Sequence, residues 1–156
     1  MNEIKRILVV DDDETTVELL LIALSRQQFP HETVVVRDGM EALDYLFRRG
    51  KFVGRDKKEP VVVLLDLKMP GVAGFEVLRQ VKSDGALKRI PVVVFSSSDD
   101  ESDRWQSYEL GANAYVTKPV DFAELLEVVQ VVGQFWTAIN LAPLSVSCER
   151  LEAVSL

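Results

Sequence analysis

Short apolar runs alternate with longer amphipathic stretches along most of the chain. The runs are rich in β-branched residues and are bounded by acids, Gly or Pro, which is typical of buried strands. There are five of them, at 7–10, 33–36, 61–65, 92–95 and 114–116. Because they are almost wholly apolar and do not alternate with polar residues, both faces of each strand should be covered by other elements.

Each apolar run is followed by a stretch in which the apolar residues have helical spacing. In the first stretch Val17, Leu20 and Leu24 share one face behind a capping Asp13, and the second is expected to end at Gly50. The remaining three helices are predicted around Phe75, Leu78 and Val81, over 99–110 with Gly111 as its end, and from the capping Asp121 to about Trp136. The order of elements is therefore strand, helix, five times over.

This order predicts a (βα)5 α/β fold with a doubly wound parallel sheet, since crossovers between parallel strands are right-handed. Ligands of such sheets bind beyond the C-terminal ends of the strands. Polar residues stand at four of these ends, namely Asp11–Asp13, Asp66, Ser96 and Lys118. We therefore expect four separate segments of the chain to meet at one edge of the sheet.

The three acids Asp11, Asp12 and Asp66 would then lie close together. At about 4 Å, each pair of like charges costs about 1 kcal/mol in water and about 4 kcal/mol at an effective dielectric constant of 20. Such a cluster raises the pKa of one acid or recruits a cation, and its hard oxygen ligands suit Mg²⁺ better than Zn²⁺. Lys118 adds a positive charge and Ser96 a hydroxyl donor, so the edge carries the groups that a phosphoryl site needs.

Composition narrows the range of partners and compartments. With 25 acidic against 18 basic residues the net charge is -7, which opposes binding to nucleic acid or anionic lipid. The single cysteine, Cys148, can form no internal disulfide and fits a reducing compartment. The N-terminus does not read as a signal peptide, and no apolar run approaches the roughly 18 residues of a membrane span. A cytoplasmic protein is expected.

Four segments, "ILVVDDDE", "LLDLKMPGVAGFEVL", "IPVVVFSSS" and "GANAYVTKPVD", resemble in order and spacing the signatures of the response-regulator receiver domain. The resemblance covers roughly 4–136 within a predicted domain 1–136, and leaves 137–156 as a C-terminal tail. It implies a flavodoxin-like sheet with strand order 2-1-3-4-5. It also implies a phosphoacceptor signalling protein, and not an enzyme that acts on a separate substrate.

The resemblance implies a role for each residue at the edge. Asp66 would accept a phosphoryl group from a phosphohistidine on a sensor histidine kinase, while Ser96 and Lys118 bind the phosphoryl oxygens. Mg²⁺ would be held by Asp66, by Asp12 directly, by Asp11 largely through water, and by the backbone carbonyl of Lys68. Tyr115 matches an aromatic whose rotamer reports phosphorylation, although plain packing explains a half-buried tyrosine equally well. The Lys118–Pro119 peptide bond would be cis.

A narrower similarity is carried by "EALDYLFRRGKF", by the long polar connection 48–59, by "VLRQVKSDGALKRIPVVVFSSSDDESD" and by the "FW" near the end of the last helix. These segments resemble the small single-domain response regulators that pair with bacterial and cyanobacterial phytochromes. Such proteins often form homodimers through the fourth helix, fifth strand and fifth helix. One departure from the wider family is Ser97, which stands where Ala or Gly is usual.

The fifth helix is more apolar than a surface helix needs to be. Phe122, Leu125, Leu126, Val129 and Trp136 can cover the sheet, which leaves an extra apolar set, Val128, Val131, Val132 and Phe135, near Trp105 and Tyr108 of the fourth helix. A patch of this size usually marks an interface, so an isologous homodimer is predicted. The alternative is that the chain's own tail covers it.

Two other functions remain open at this point. Phosphotransferases of the haloacid-dehalogenase type place a nucleophilic Asp after the first strand in a DxD pattern, which residues 11–13 satisfy. A phosphate-independent adaptor of the same fold is the other alternative.

Overall fold

A five-stranded parallel sheet with helices on both faces forms the protein, as seen in a computed structural model that describes residues 3–143. The elements are β1 Lys5–Val10, α1 Glu14–Ser25, β2 His31–Val36, α2 Gly39–Phe47, β3 Val62–Leu65, α3 Gly74–Ser83, β4 Val92–Ser96, α4 Glu101–Glu109, β5 Ala114–Thr117 and α5 Phe122–Gln134. The strand order is β2-β1-β3-β4-β5, and every neighbouring pair is parallel. The predicted fold and strand order are confirmed.

The strands are buried on both faces because successive side chains point in opposite directions. Leu8, Val63 and Val94 lie in the hydrophobic core beneath α2 and α3. Ile7 and Val93 belong to a second core on the other face, which α1 and α5 cover. This explains the near-continuous apolar runs: a strand with one wet face would alternate polar and apolar residues.

The helix starts follow the capping chemistry of the sequence. The Asp13 carboxylate accepts hydrogen bonds from the backbone N–H groups of Thr15 and Thr16, and Asp121 accepts from Glu124. Both residues were predicted as caps, and both are confirmed. A carboxylate at this position also interacts favourably with the positive end of the helix dipole.

Two helix ends differ from the prediction. Helix α2 ends at Phe47 and not at Gly50, because Arg48 itself takes the left-handed conformation that closes the helix, with φ 54°. Helix α5 does not stop near Trp136, since a π-helical segment, Phe135–Ile139, continues it. The predicted tail 137–156 therefore begins inside a helical segment, and its residues 144–156, Cys148 among them, lie outside the described part of the chain.

The peptide bond between Lys118 and Pro119 is trans, as are all others between residues 3 and 143. The cis bond implied by the resemblance is not found in this structure.

The polar connection between α2 and β3 is ordered by arginines. Arg6, which is buried on β1, donates to both carboxylate oxygens of Asp56 at 2.7 and 2.8 Å. Arg55 lies 4.2 Å from the centre of the Tyr45 ring and donates to the backbone carbonyls of Tyr45 and Lys58. The hydrogen bond from Arg6 lowers the pKa of Asp56 to about 2. The long connection is thus a folded part of the domain.

Among the described residues, one helical stretch, Phe122–Ile139, is long and apolar enough by length and composition to cross a membrane. It passes this test because Glu124 and Glu127 are its only charged residues. Leu125 and Val129 on its inner face are buried in the core against the sheet. In this structure the stretch is the covering helix of an α/β sheet.

Candidate functional site

The C-terminal ends of four strands bring the polar residues of the sequence together. Asp11 follows β1, Asp66 follows β3, Ser96 ends β4 and Lys118 follows β5. The hydrogen-bond ladder of the sheet continues into the site. The backbone N–H of Asp66 donates to the Val10 carbonyl at 3.0 Å, and the backbone N–H of Lys118 donates to the Ser96 carbonyl at 2.8 Å. The rigid sheet therefore fixes the backbone from which each side chain projects.

Three carboxylates form the centre of the site. Asp11, Asp12 and Asp66 each offer an oxygen atom, and these atoms lie within 4.8 Å of one another. Asp11 and Asp66 are buried, whereas Asp12 is exposed, so the cluster opens to solvent on one side. Oxygen ligands with room for water are what hard divalent cations bind. The donor set fits such a cation.

Lys118 neutralises part of this negative charge. Its ammonium nitrogen lies 2.7 Å from Oδ2 of Asp11 and 3.4 Å from Oδ2 of Asp66. The Lys118 side chain is only 13% exposed, so water screens these attractions weakly. One lysine therefore bridges two acids that the chain separates by 55 positions.

The pKa of Asp66 is raised above its ordinary value. The main cause is burial, which disfavours the charged form, and the negative charge of Asp11 adds to it. The Lys118 ammonium and the backbone N–H of Lys68 act in the opposite direction. Asp66 is thus a buried carboxylate whose ionised form depends on nearby positive charge.

The loop after Asp66 fits closely around it. The backbone N–H of Lys68 donates to Oδ1 of Asp66 at 3.3 Å, while metal binding by the Lys68 carbonyl stays a prediction. Gly74 begins α3 so close to the strand end that an added Cβ would lie 2.3 Å from the Asp66 carbonyl oxygen. Only a glycine allows the helix to start there.

Ser96 and Tyr115 both contact the loop between β4 and α4. Ser96 is fully buried, and its hydroxyl oxygen accepts a hydrogen bond from the backbone N–H of Ser98 at 3.2 Å. The Tyr115 ring is half-buried against the core, and its hydroxyl donates to the Ser98 carbonyl at 2.8 Å. Packing alone therefore does not describe Tyr115, because its polar end is tied to the segment that carries Ser96.

Two features of the site were missed from the sequence. The Ser98 side chain is buried and its hydroxyl donates to the Asp103 carboxylate of α4, whereas the "SSSDD" segment of the sequence drew attention only to Ser96 and Ser97. A groove of about 300 Å³ lies beside Lys118, between α1 and the segment after β5. Its lining comprises Thr16, Leu19, Ser97, Lys118, Pro119, Val120, Phe122 and Leu125. The available signal in the sequence was the apolar Val120 directly after Pro119, which the structure shows to be fully exposed.

The apolar surface of α4 and α5 is smaller than predicted. Trp105 is 69% exposed, and Tyr108, Val131 and Phe135 are also exposed. In contrast, Val128 and Val132 are partly buried against the sheet core together with Leu126 and Trp136. Phe122, predicted to cover the sheet, is exposed and lines the groove beside Lys118.

Comparisons with known proteins agree with this architecture. The response regulator receiver domain family matches residues 7–130. The chain is 38% identical over 135 residues to response regulator Rcp1 of Synechocystis sp., a match that covers 86% of this chain and 90% of Rcp1.

Two solved structures are similar over almost their full length. The phosphorylated cyanobacterial phytochrome response regulator RcpA has a TM-score of 0.86 at 41% identity, covering 91% of this chain and 100% of RcpA. The Mn²⁺-bound form of Rcp1 has a TM-score of 0.85 at 36% identity, covering 90% of this chain and 99% of Rcp1. The family match, the sheet and the acidic edge agree: this chain belongs to the response regulator receiver domain family.

Proposed function

We propose that this protein accepts a phosphoryl group on Asp66 from a phosphohistidine of a sensor histidine kinase and signals through changed protein–protein contacts. The observation that carries the proposal is the buried Asp66 carboxylate, which lies beside two further acids and 3.4 Å from the Lys118 ammonium. Asp66 directly follows the central strand β3, and the cluster that it forms is open to solvent at the exposed Asp12. Membership of the receiver family supports the same chemistry.

In the proposed step an Asp66 oxygen attacks phosphorus. The P–N bond to the kinase histidine breaks, the imidazole leaves and takes up a proton, and an acyl phosphate forms on Asp66. The Lys118 ammonium would attract the transferred oxygens, and the Ser96 hydroxyl, which still has its proton to donate, would hydrogen-bond one of them.

Mg²⁺ is the proposed cofactor, with Asp11, Asp12, Asp66 and the Lys68 carbonyl as its ligands on the protein. When bound, it would neutralise charge on the phosphoryl oxygens. The structure of the Mn²⁺-bound form of Rcp1 supports a divalent cation in a similar protein. Because burial raises the pKa of Asp66, a cation next to it would also favour the ionised, nucleophilic form.

Acetyl phosphate tests the acceptor without requiring the kinase. In the presence of Mg²⁺ the intact mass of the protein should rise by about 80 Da, the mass of one phosphoryl group. Asp66→Asn should gain nothing, whereas Asp99→Asn, a change at an exposed acid of the β4–α4 segment, should behave like the parent. A parent protein that gains no mass, or an Asp66→Asn variant that does, would refute the proposal.

We further propose a kinase of the phytochrome type as the donor, because Rcp1 and RcpA are both similar over most of this chain. Rcp1 is matched over 90% of its own length, which supports a similar signalling role for this chain. Within it, residues 1–136 would be the receiver and 137–156 a tail. We also propose that the protein acts in the cytoplasm. In this proposal it binds neither nucleic acid nor membrane and turns over no separate small-molecule substrate.

The proposed homodimer would form through α4, β5 and α5. Trp105, Tyr108, Val131 and Phe135 support it, since each exposes a large apolar side chain on these helices. Light scattering coupled to size-exclusion chromatography at micromolar concentration should report twice the chain mass, and Trp105→Glu should lower it. A monomeric parent would contradict the dimer without affecting the phosphoryl chemistry.

The structure favours this function over the haloacid-dehalogenase alternative. Asp13, the second acid of the DxD pattern, caps α1 through the backbone N–H groups of Thr15 and Thr16. It is not part of the acidic cluster, in which Asp66 takes its place beside Asp11 and Asp12.

A further inference from the structure

Ser98 uses every polar group that it has. Its backbone N–H donates to Ser96 Oγ at 3.2 Å and its carbonyl accepts from the Tyr115 hydroxyl at 2.8 Å. Its own hydroxyl donates to Oδ2 of Asp103 at 2.6 Å and accepts from the backbone N–H of Asp100 at 3.3 Å. The residue is only 7% exposed. It therefore connects the candidate phosphoryl-binding serine, the candidate switch tyrosine and α4.

The bond to Asp103 is the strongest of these contacts by chemistry. A hydroxyl that donates to a carboxylate forms a short, charge-assisted hydrogen bond, and 2.6 Å lies in the range of such bonds. Asp103 lies in the first turn of α4, where its negative charge also interacts favourably with the helix dipole. The first turn of α4 is thus fastened to the segment that leaves Ser96.

We propose that the Ser98–Asp103 hydrogen bond couples α4 to the phosphoryl site, so that a change in the position of Ser96 is passed to α4 and to its exposed Trp105 and Tyr108. This inference rests on the proposed function. Ser98 and Asp103 act as positioning residues: neither lies in the acidic cluster, and each acts through Ser96, Tyr115 or the helix. Without the bond, α4 keeps its Asp100 cap but loses its side-chain link to the segment.

A purely structural role would have a different signature. If Ser98 served only to hold the segment in place, its loss would lower stability but leave the conformational response of each phosphorylated molecule unchanged. The coupling role requires the reverse: phosphorylation of Asp66 continues, and the response at α4 is lost. The amount of phosphoprotein and the signal from α4 must therefore be measured in the same sample.

Trp105 provides the signal, because it lies two positions after Asp103 and is largely exposed. The chain has two tryptophans, so Trp136→Phe is introduced into every protein of the series. Each variant is treated with Mg²⁺ and acetyl phosphate. The phosphorylated fraction is read by intact mass, and the change in Trp105 emission is divided by that fraction.

Ser98→Ala and Asp103→Ala should be phosphorylated to within about twofold of the parent, while the Trp105 change per phosphorylated molecule falls about fivefold or more, as for the loss of a typical coupling. Ser98→Thr keeps the hydroxyl and should restore the response. Glu101→Ala is the matched control, since Glu101 lies in the same turn of α4 and its exposed side chain makes no hydrogen bond or ion pair with the residues that the structure describes, 3–143. It should respond like the parent.

An undiminished Trp105 response in phosphorylated Ser98→Ala and Asp103→Ala would overturn the coupling. So would a phosphorylated parent whose Trp105 emission does not change. A parent that gains no mass refutes the proposed function itself, and this is read from the mass before any fluorescence is considered. If Ser98→Ala fails to fold, as judged by circular dichroism, Asp103→Ala decides the matter, because Asp103 is the more exposed partner.

Discussion

Neutralising Asp66 should stabilise the metal-free protein, although it abolishes the proposed activity. The Asp66 oxygens lie within 4.8 Å of oxygens of Asp11 and Asp12. At that separation each repulsion is about 0.9 kcal/mol in water and about 3.5 kcal/mol at an effective dielectric constant of 20. Removing the Asp66 charge removes both repulsions.

The same substitution also removes an attraction. The attraction between Asp66 and the Lys118 ammonium, 3.4 Å away, is about 1.2 kcal/mol in water and about 5 kcal/mol at an effective dielectric constant of 20. Two repulsions against one attraction leave about 0.5 to 2 kcal/mol in favour of Asp66→Asn, and relief of the cost of burying the charge, the main cause of the raised Asp66 pKa, adds to this gain. Lys118 keeps its shorter contact with Asp11 at 2.7 Å, and the Asn oxygen can still accept from Lys68.

Urea unfolding in EDTA at pH 7, followed by circular dichroism, measures this gain. Asp66→Asn should have the higher midpoint, and Asp99→Asn, at an exposed acid outside the cluster, should match the parent. Added Mg²⁺ should then raise the stability of the parent more than that of Asp66→Asn, because a ligand that binds only the native state stabilises it by mass action. The difference in stability between the two proteins should therefore narrow or reverse when Mg²⁺ is added.

The effect has a defined dependence on pH. Since the native pKa of Asp66 lies above that of the unfolded chain, the native protein binds more protons between the two values, and its stability falls as the pH rises through this interval. Below about pH 3.9, the ordinary pKa of Asp, the acid is neutral in both states and the advantage of Asp66→Asn should disappear. A variant that is less stable than the parent in EDTA at pH 7 would refute this account of the cluster.

Two further substitutions test the packing and the arginine network. Gly74→Ala should destabilise the fold by about 1–3 kcal/mol in urea unfolding, because the new Cβ would meet the Asp66 backbone. Gly85→Ala is the control and should be neutral, since a Cβ there would touch nothing within 4 Å. Equal effects of the two substitutions would contradict the close approach at Gly74. In the parent, protonation of Asp56 breaks its pair with Arg6, so the free energy of unfolding should fall as the pH drops from about 4 towards the Asp56 pKa of about 2. Asp56→Asn cannot be protonated in this way and should lack that part of the acid destabilisation. An acid unfolding profile equal to that of the parent would argue against the pair.

Local chemistry determined which elements form and where the acidic edge lies. The apolar runs identify the strands, and Asp13 and Asp121 identify the helix starts, because each signal depends on neighbours along the chain. The convergence of Asp11, Asp66, Ser96 and Lys118 followed from one general property of parallel sheets, that all C-terminal strand ends lie at the same edge. No particular contact had to be known.

Tertiary structure alone decided how distant residues pair. Lys118 bridges Asp11 and Asp66, Arg6 holds Asp56 across 50 positions, and Tyr115 finds the Ser98 carbonyl. Val128 and Val132 looked like an exposed patch because helical spacing states which residues share a face, but not how widely the sheet covers that face. A periodic pattern is set by a residue's own neighbours, whereas a contact depends on where the rest of the chain has folded.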